Sequence, residues 1–322
     1  MKNWKTVAIR APAMVLLMTA VSTAWGQGYP SKTVRIATGG PGSAGDLMSR
    51  LIAPGLTASL GQQVIVENRP SGVILGEGVA GSAPDGHTLM VTGSSFWLAP
   101  FVLKSVPWDP VRDFVPITLA VSSPNMIVVH PSLPVKTVKE LIALAKARPG
   151  QLNYASGTTG SMPHLGAELF KARAGVDIVR INYRGQGAAL IDTISGQMHL
   201  MFPNAGGAAQ HVKSGRLRLL AVTTERPSAL FPGIPTVSAS GLPGFDVATG
   251  NGIFAPARTP DAIIARLNQE IVRALNAPNV KQKLFGNGVE IIGSPPEQLA
   301  ATIQREFSQF RSLLSNETVR AN

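Results

Sequence analysis

Val34-Arg35-Ile36-Ala37-Thr38-Gly39-Gly40-Pro41-Gly42-Ser43-Ala44-Gly45-Asp46 is the stretch on which the fold turns. Val34 to Ala37 reads as a short apolar strand. A glycine-rich turn follows, and Asp46 opens a helix whose apolar residues recur at Leu47, Met48, Leu51 and Ile52. Pro54 predicts a kink or an early end to that helix. Gln63 to Val66 and Thr88 to Val91 are the next strands. Short apolar strands separated by helices predict a parallel α/β sheet.

The same turn fits G-x-G-x-x-G over Gly40–Gly45, and Glu67 ends the next strand 22 residues beyond Gly45. Three readings stand open. The first is a dinucleotide site on an exported oxidoreductase, with the glycines approaching a pyrophosphate and the acid holding a ribose. The second asks less: backbone N–H groups at a helix N-terminus bind any anion, a carboxylate included. The third is a turn that only connects strand to helix.

A second α/β run starts near residue 124. It comprises strand Met126–Val129, a helix to Ala147 with Thr137 and Glu140 as a capping box, strand Leu152–Ala155 and helix Pro163–Ala174. Strand Ile178–Ile181, helix Ala188–Ile194, strand His199–Phe202, a helix near Ala208–Lys213 and strand Leu217–Val222 complete it. Ser156-Gly157-Thr158-Thr159-Gly160-Ser161 leaves one of these strands, Tyr183-Arg184-Gly185 the next, and Asn204 the one after. In an open parallel sheet such positions lie together at the carboxyl ends of strands, where ligands bind, and Arg184 offers a bidentate fork for a carboxylate.

The C-terminal segment carries two amphipathic helices. The first has Thr259 as N-cap and Pro260 at the first helical position, with Ile264, Leu267, Ile271 and Leu275 on one face. The last has a Ser294–Glu297 capping box and the face Leu299, Ile303, Phe307, Phe310 and Leu314. Returning to the first lobe, this segment gives two α/β lobes joined by two crossings.

Lys2, Lys5 and Arg10, the apolar run Ala11–Ala20 and Ala24-Trp25-Gly26 form a cleavable secretory leader pattern. Removing residues 1–26 leaves 322 − 26 = 296 residues and a charge of 29 − 3 − 18 = +8. The chain has no Cys, which removes disulfides and thiolate chemistry, and no dense Lys/Arg block, so no nucleic-acid partner is expected. The five histidines lack H-x-x-x-H spacing, so no metal site is expected. No G-x-S-x-G and no carboxylate pair marks catalysis.

Together, several segments resemble the Bug family, the TctC-like periplasmic receptors of tripartite tricarboxylate transport. They include Tyr29-Pro30-Ser31-Lys32, Pro41-Gly42 with Asp46 and Arg50, Val66-Glu67-Asn68-Arg69-Pro70, Ala83-Pro84-Asp85-Gly86-His87 and Trp108-Asp109-Pro110. Further on come Asn153-Tyr154-Ala155-Ser156-Gly157, His164-Leu165, Tyr183-Arg184-Gly185, Ser195-Gly196-Gln197, Pro235-Thr236 and Phe254-Ala255-Pro256. The resemblance implies a two-lobed Venus-flytrap periplasmic binding protein with mostly parallel sheets flanked by helices. Its expected parts are a leader (1–26), lobe 1 (27–121 and 251–322) and lobe 2 (122–250), with a hinge near Val121-Ser122 and Gly250-Asn251.

It further implies a receptor without cofactor or catalysis, which holds a small carboxylate between loops and passes it to a tripartite tricarboxylate-type membrane transporter; a membrane sensor is the alternative recipient, and a monomer is the default expectation. Expected ligand-binding residues are Ser43, Ala44, Gly45 and Asp46 in lobe 1, with Asp46 mainly capping its helix. In lobe 2 they are Ser156, Thr158, Thr159, Ser161, His164, Tyr183, Arg184 and Asn204. The spacing of Ser161 and His164 fits helix packing or capping better than Ser-His chemistry. The sequence departs from the family pattern at Ser43, Gly45, Pro203 and the shortened stretch after Pro70. The loss of an Asp at Pro203 favours a plain organic acid over an amino acid.

Overall fold

The computed structural model describes residues 28–69, 72–103, 105–157 and 159–314, so the leader and Thr158 lie outside the described residues. The opening stretch folds as its pattern dictates. Strand β1 (Val34–Thr38) buries Val34, Ile36, Ala37 and Thr38. It turns through Gly42, whose φ of 79° suits glycine, into helix α1 (Ala44–Leu60). The N-cap is Ser43, whose Oγ accepts from Asp46 N at 3.2 Å.

The end or kink expected at Pro54 does not shorten this helix. It continues to Leu60 and stops at Gly61 in the left-handed conformation. The buried face of Met48, Ile52, Leu56 and Leu60, closed by caps at both ends, outweighs the one hydrogen bond that Pro54 cannot donate.

The chain continues through β2 (Val64–Asn68), α2 (Gly72–Ala80), β3 (Thr88–Gly93), α3 (Ser94–Trp97), α4 (Ala99–Val102) and the long strand β4 (Phe114–Pro124). A second run follows: β5 (Met126–Val129), α5 (Val138–Ala147), β6 (Asn153–Ser156), α6 (Met162–Ala174), β7 (Val179–Asn182), α7 (Gln186–Ile194), β8 (Leu200–Met201), α8 (Ala205–Lys213) and β9 (Arg218–Val222). The chain returns on β10 (Ala248–Pro256) and ends with α9 (Asp261–Leu275), α10 (Pro278–Gly286), β11 (Glu290–Ile291) and α11 (Pro296–Leu314).

These elements make a two-lobed α/β fold around two sheets, ordered β11-β4-β10-β3-β1-β2 and β7-β6-β8-β5-β9. The sheets are mixed rather than mostly parallel. β1 runs parallel to β2 and β3, and β6 to β7 and β8. β10 runs antiparallel to β3 and β4, and β5 to β8 and β9. The reason is topological: β4 carries the chain out to the second sheet and β10 brings it back. The two therefore pair head to tail, from Ala248↔Pro124 to Pro256↔Phe114. Val121 lies opposite Asn251 and Ser122 opposite Gly250, so both expected hinge segments share one stretch of ladder.

The C-terminal segment packs on the first sheet. β11 pairs with β4. Ile264, Leu267, Ile271 and Leu275 of α9 join one buried cluster with Val34, Ile52 and Leu56. Each such residue contributes about 1.5–3 kcal/mol on burial. A second cluster bridges the two sheets, joining Leu299, Ile303 and Phe310 of α11 to Leu165 and Phe170 of α6.

Two expected caps are corrected. Thr259 Oγ1 donates to Pro256 O at 2.7 Å and α9 starts at Asp261. Ser294 Oγ accepts from Leu119 N at 2.9 Å, serving the edge of β4 instead of a helix end. The Thr137 cap holds, accepting from Glu140 N at 3.1 Å while Glu140 accepts from Lys136 N at 2.6 Å.

Candidate functional site

A cavity of about 460 Å³ lies between the carboxyl ends of the parallel strands of both sheets. From the first sheet, Ser43, Ala44 and Gly45 present the start of α1 to it. From the second, Ser161, Met162 and Pro163 present the start of α6, Gln186 that of α7, and Asn204 that of α8. The first N–H groups of each helix have no intrahelical acceptor, and each helix carries partial positive charge at that end. Four such ends from two sheets thus point at one space. Thr92 to Ser95 form another part of the wall, and Thr249 and Asn251 of β10 the floor between the sheets. Among the described lining residues no side chain is a carboxylate, and Arg69 is the one cation.

The loop after β1 is fixed by a buried carboxylate. Asp46 accepts from Gly42 N at 3.0 Å, Arg50 Nε at 2.9 Å and Asn68 Nδ2 at 2.8 Å. The Asn68 bond, with that of Gly42, holds the acid below the usual carboxylate range. Asp46 is therefore spent on the loop and does not line the cavity. Gly45 is required by space: a Cβ there would lie 2.7 Å from Thr38 Oγ1 and 3.2 Å from Val91 Cγ1.

The loop after β6 is fixed by a cation and a neutral ring. Arg180 Nη2 donates to Thr159 Oγ1 at 2.9 Å, Asn182 Oδ1 at 3.0 Å and Gly157 O at 3.4 Å. His164, buried, accepts from Gly160 N at 3.0 Å through Nδ1. Burial, helped by Arg180, pushes its imidazole down to about 3. Beyond the loop, Asn204 Oδ1 accepts from Gly207 N at 3.2 Å and Gln186 Nε2 at 3.1 Å, which ties the starts of α7 and α8 together.

The structure gathers Ser43, Ala44, Gly45, Ser161 and Asn204 around the cavity. The other expected residues that are described lie outside its lining, and Thr158 is not among the described residues. Ser156 is buried with its hydroxyl toward Gly157 O at 3.4 Å. Thr159 accepts from Arg180 and His164 from Gly160, as above. Tyr183 donates to Asp192 Oδ2 at 2.7 Å, and burial and that acid push its phenol up to about 12. Arg184 is exposed and is not among the residues of that lining. Lining residues that sequence reasoning missed include Thr92, Ser95, Gln186, Thr249 and Asn251.

Glu67, the acid that a dinucleotide reading needs, bridges Arg69 at 3.0 Å and Arg35 at 3.7 Å and is not part of the lining. Among the described residues no cluster of three His, Asp or Glu could hold a metal, and no helix is long and apolar enough to cross a membrane.

The family model described as the tripartite tricarboxylate transporter family receptor matches residues 48–318. Protein BugT of Bordetella pertussis is 34% identical over 291 residues, covering 89% of this chain and 89% of its own. A solved Rhodopseudomonas palustris protein with adipate superposes with TM-score 0.73 at 30% identity, over 89% of this chain and 97% of the other. MatC from Rhodopseudomonas palustris with bound malate gives TM-score 0.71 at 28% identity, over 89% and 100%.

Proposed function

The chain belongs to the tripartite tricarboxylate transporter receptor family, and from that premise we propose that it is a periplasmic receptor that captures a small organic acid, carboxylate first, between its two lobes. The observation that carries this reading is the convergence of four helix N-termini, from both sheets, on a cavity whose described lining holds no carboxylate. Backbone N–H groups and the hydroxyls of Ser43 and Ser161 neutralise the anion. Leu75, Met162 and Met201 contact an apolar body. With no acid in the wall to pair an amine, a plain organic acid is favoured over an amino acid. The adipate and malate held by the two R. palustris relatives are acids of that kind.

Lobe 1 comprises residues 27–121 and 251–322 and lobe 2 residues 122–250. They close by bending the β4–β10 ladder, because an acid touching both walls binds the closed form better. The leader pattern of residues 1–26 directs export, and a tripartite-type membrane transporter receives the ligand. Thermal unfolding with a panel of mono-, di- and tricarboxylates tests the reading. A ligand at a hundred times its Kd stabilises by about 2.7 kcal/mol and raises Tm by several degrees. An unchanged Tm and scattering profile across the whole panel would reject it.

A further inference from the structure

We propose that Glu306 couples carboxylate binding to proton uptake, because its side chain sits directly behind the cleft wall and takes the hydroxyl proton of a wall residue, Ser94. This rests on the carboxylate-receptor reading above.

Glu306 lies on α11 and is 9% exposed. One carboxylate oxygen accepts from Trp97 Nε1 at 2.7 Å and the other from Ser94 Oγ at 3.3 Å. Both donors belong to α3, the turn that follows β3, and Thr92–Ser95 of the same segment line the ligand cavity. The alternation of β10 sets what lies on each side. Thr249 and Asn251 face the ligand cavity, whereas Ala248 and Gly250 face a second cavity of about 490 Å³ that Glu306 and Trp97 also line. Exposed Glu225 and Arg226 border this rear cavity, so solvent protons have a route to the acid.

Among the described residues no cation forms an ion pair with Glu306, although the charge of Arg305 acts on it through space. Arg305, its neighbour on α11, pairs with Asp246 at 3.4 Å. Glu290 of β11, across the rear cavity, accepts from Ser228 Oγ at 2.6 Å and Leu230 N at 3.2 Å. The segment Gly93–Trp97 packed against Glu306 carries no charge. Burial therefore outweighs the two hydrogen bonds and pushes the carboxyl up to about 7.

The chemistry follows from donor counting. An ionised Glu306 is acceptor-only, so it claims the single hydroxyl proton of Ser94. Once protonated, it keeps one oxygen for Trp97 and donates from the other to Ser94 Oγ. Ser94 keeps its own hydrogen, which no longer has to point at Glu306 and can turn to another acceptor, and a negative charge is gone from behind the wall. Both changes favour an anion in the cavity. By linkage, an anion in the cavity draws a proton onto Glu306.

Tryptophan emission from pH 5 to 9, without ligand, tests the acid itself. The wild type shows a step with midpoint about 7; Glu306→Gln, which keeps an acceptor for Trp97, shows none. Calorimetry with malate and with adipate, in buffers of different ionisation enthalpy, tests the coupling. The wild type takes up protons near pH 7 and binds about tenfold more tightly at pH 6.5 than at 8.5, while Glu306→Gln takes up none and binds equally at both.

Ser94→Ala keeps the emission step and loses most of the pH dependence of binding. No emission step, or proton uptake that persists in Glu306→Gln, overturns the inference while leaving the receptor reading intact. An emission step with no carboxylate bound at any pH overturns the receptor reading and the inference with it.

Discussion

The loop after β1 and the loop after β6 face one cavity, yet opposite charges hold them. Asp46 draws in three donors, from Gly42, Arg50 and Asn68, and thereby shapes the first loop from within. Arg180 reaches from the neighbouring strand and pins the second through Gly157 and Thr159, while neutral His164 takes the Gly160 amide. What both leave over is the same: a helix start with its amides turned to the cavity. The ionisable supports stay off the ligand, so the wall itself is nearly chargeless. That suits a receptor that must release its ligand, because a desolvated ion pair would slow dissociation.

Changes that strike each support separately sharpen this contrast. Gly45→Ala has the largest expected effect. Its Cβ would lie 2.7 Å from Thr38 Oγ1, which is tied to Val91 O, and 3.2 Å from Val91 Cγ1, so these groups must shift; a loss of about 1–3 kcal/mol in a urea melt is expected, along with weakened binding. Arg180→Ala comes next. It leaves three acceptors without their donor, at a cost of about 1–3 kcal/mol, and the second loop should lose ligand affinity by about tenfold as the first keeps its shape.

Asp46→Asn should cost about 1 kcal/mol at neutral pH. The sign follows from the lowered acid: its stabilisation is present above the unfolded value of about 3.9 and is lost as pH falls through the folded one, so wild type and variant converge in acid. Arg184→Ala should change neither stability nor affinity beyond about 0.5 kcal/mol, since the side chain is exposed and outside the cavity lining. A large effect there would return the carboxylate fork to Arg184 and break the contrast.

Much of the fold was legible because local signals agreed. Met126–Val129 and Val138–Ala147 fall where apolar runs and a capping box put them, and the face of α9 is the one its periodicity marks. β4 and β10 were not legible. Ser122, Ser123 and Pro124, and Gly250, Asn251 and Gly252, dilute the alternation that identifies a strand, and their pairing is a contact across more than a hundred residues. The site was legible only where backbone groups do the work. The glycine turn and the Ser161 helix start announce themselves, whereas Thr249 and Asn251 reach the cavity through long-range pairing that no short motif records, and Gln186 lies just past the Tyr183-Arg184-Gly185 turn. Ser94 and Glu306 meet 212 residues apart. Arg184 has a residue type that suits the ligand, but the fold leaves it exposed and outside the cavity lining.

Hydrogen exchange of the backbone amides, with and without the carboxylate that raises Tm most, tests the central claim most directly. Simultaneous protection of the segments around Ala44–Gly45 and Ser161–Met162 is the predicted result, since one anion bridges both helix starts. Protection confined to one of them, or found only elsewhere, would contradict it.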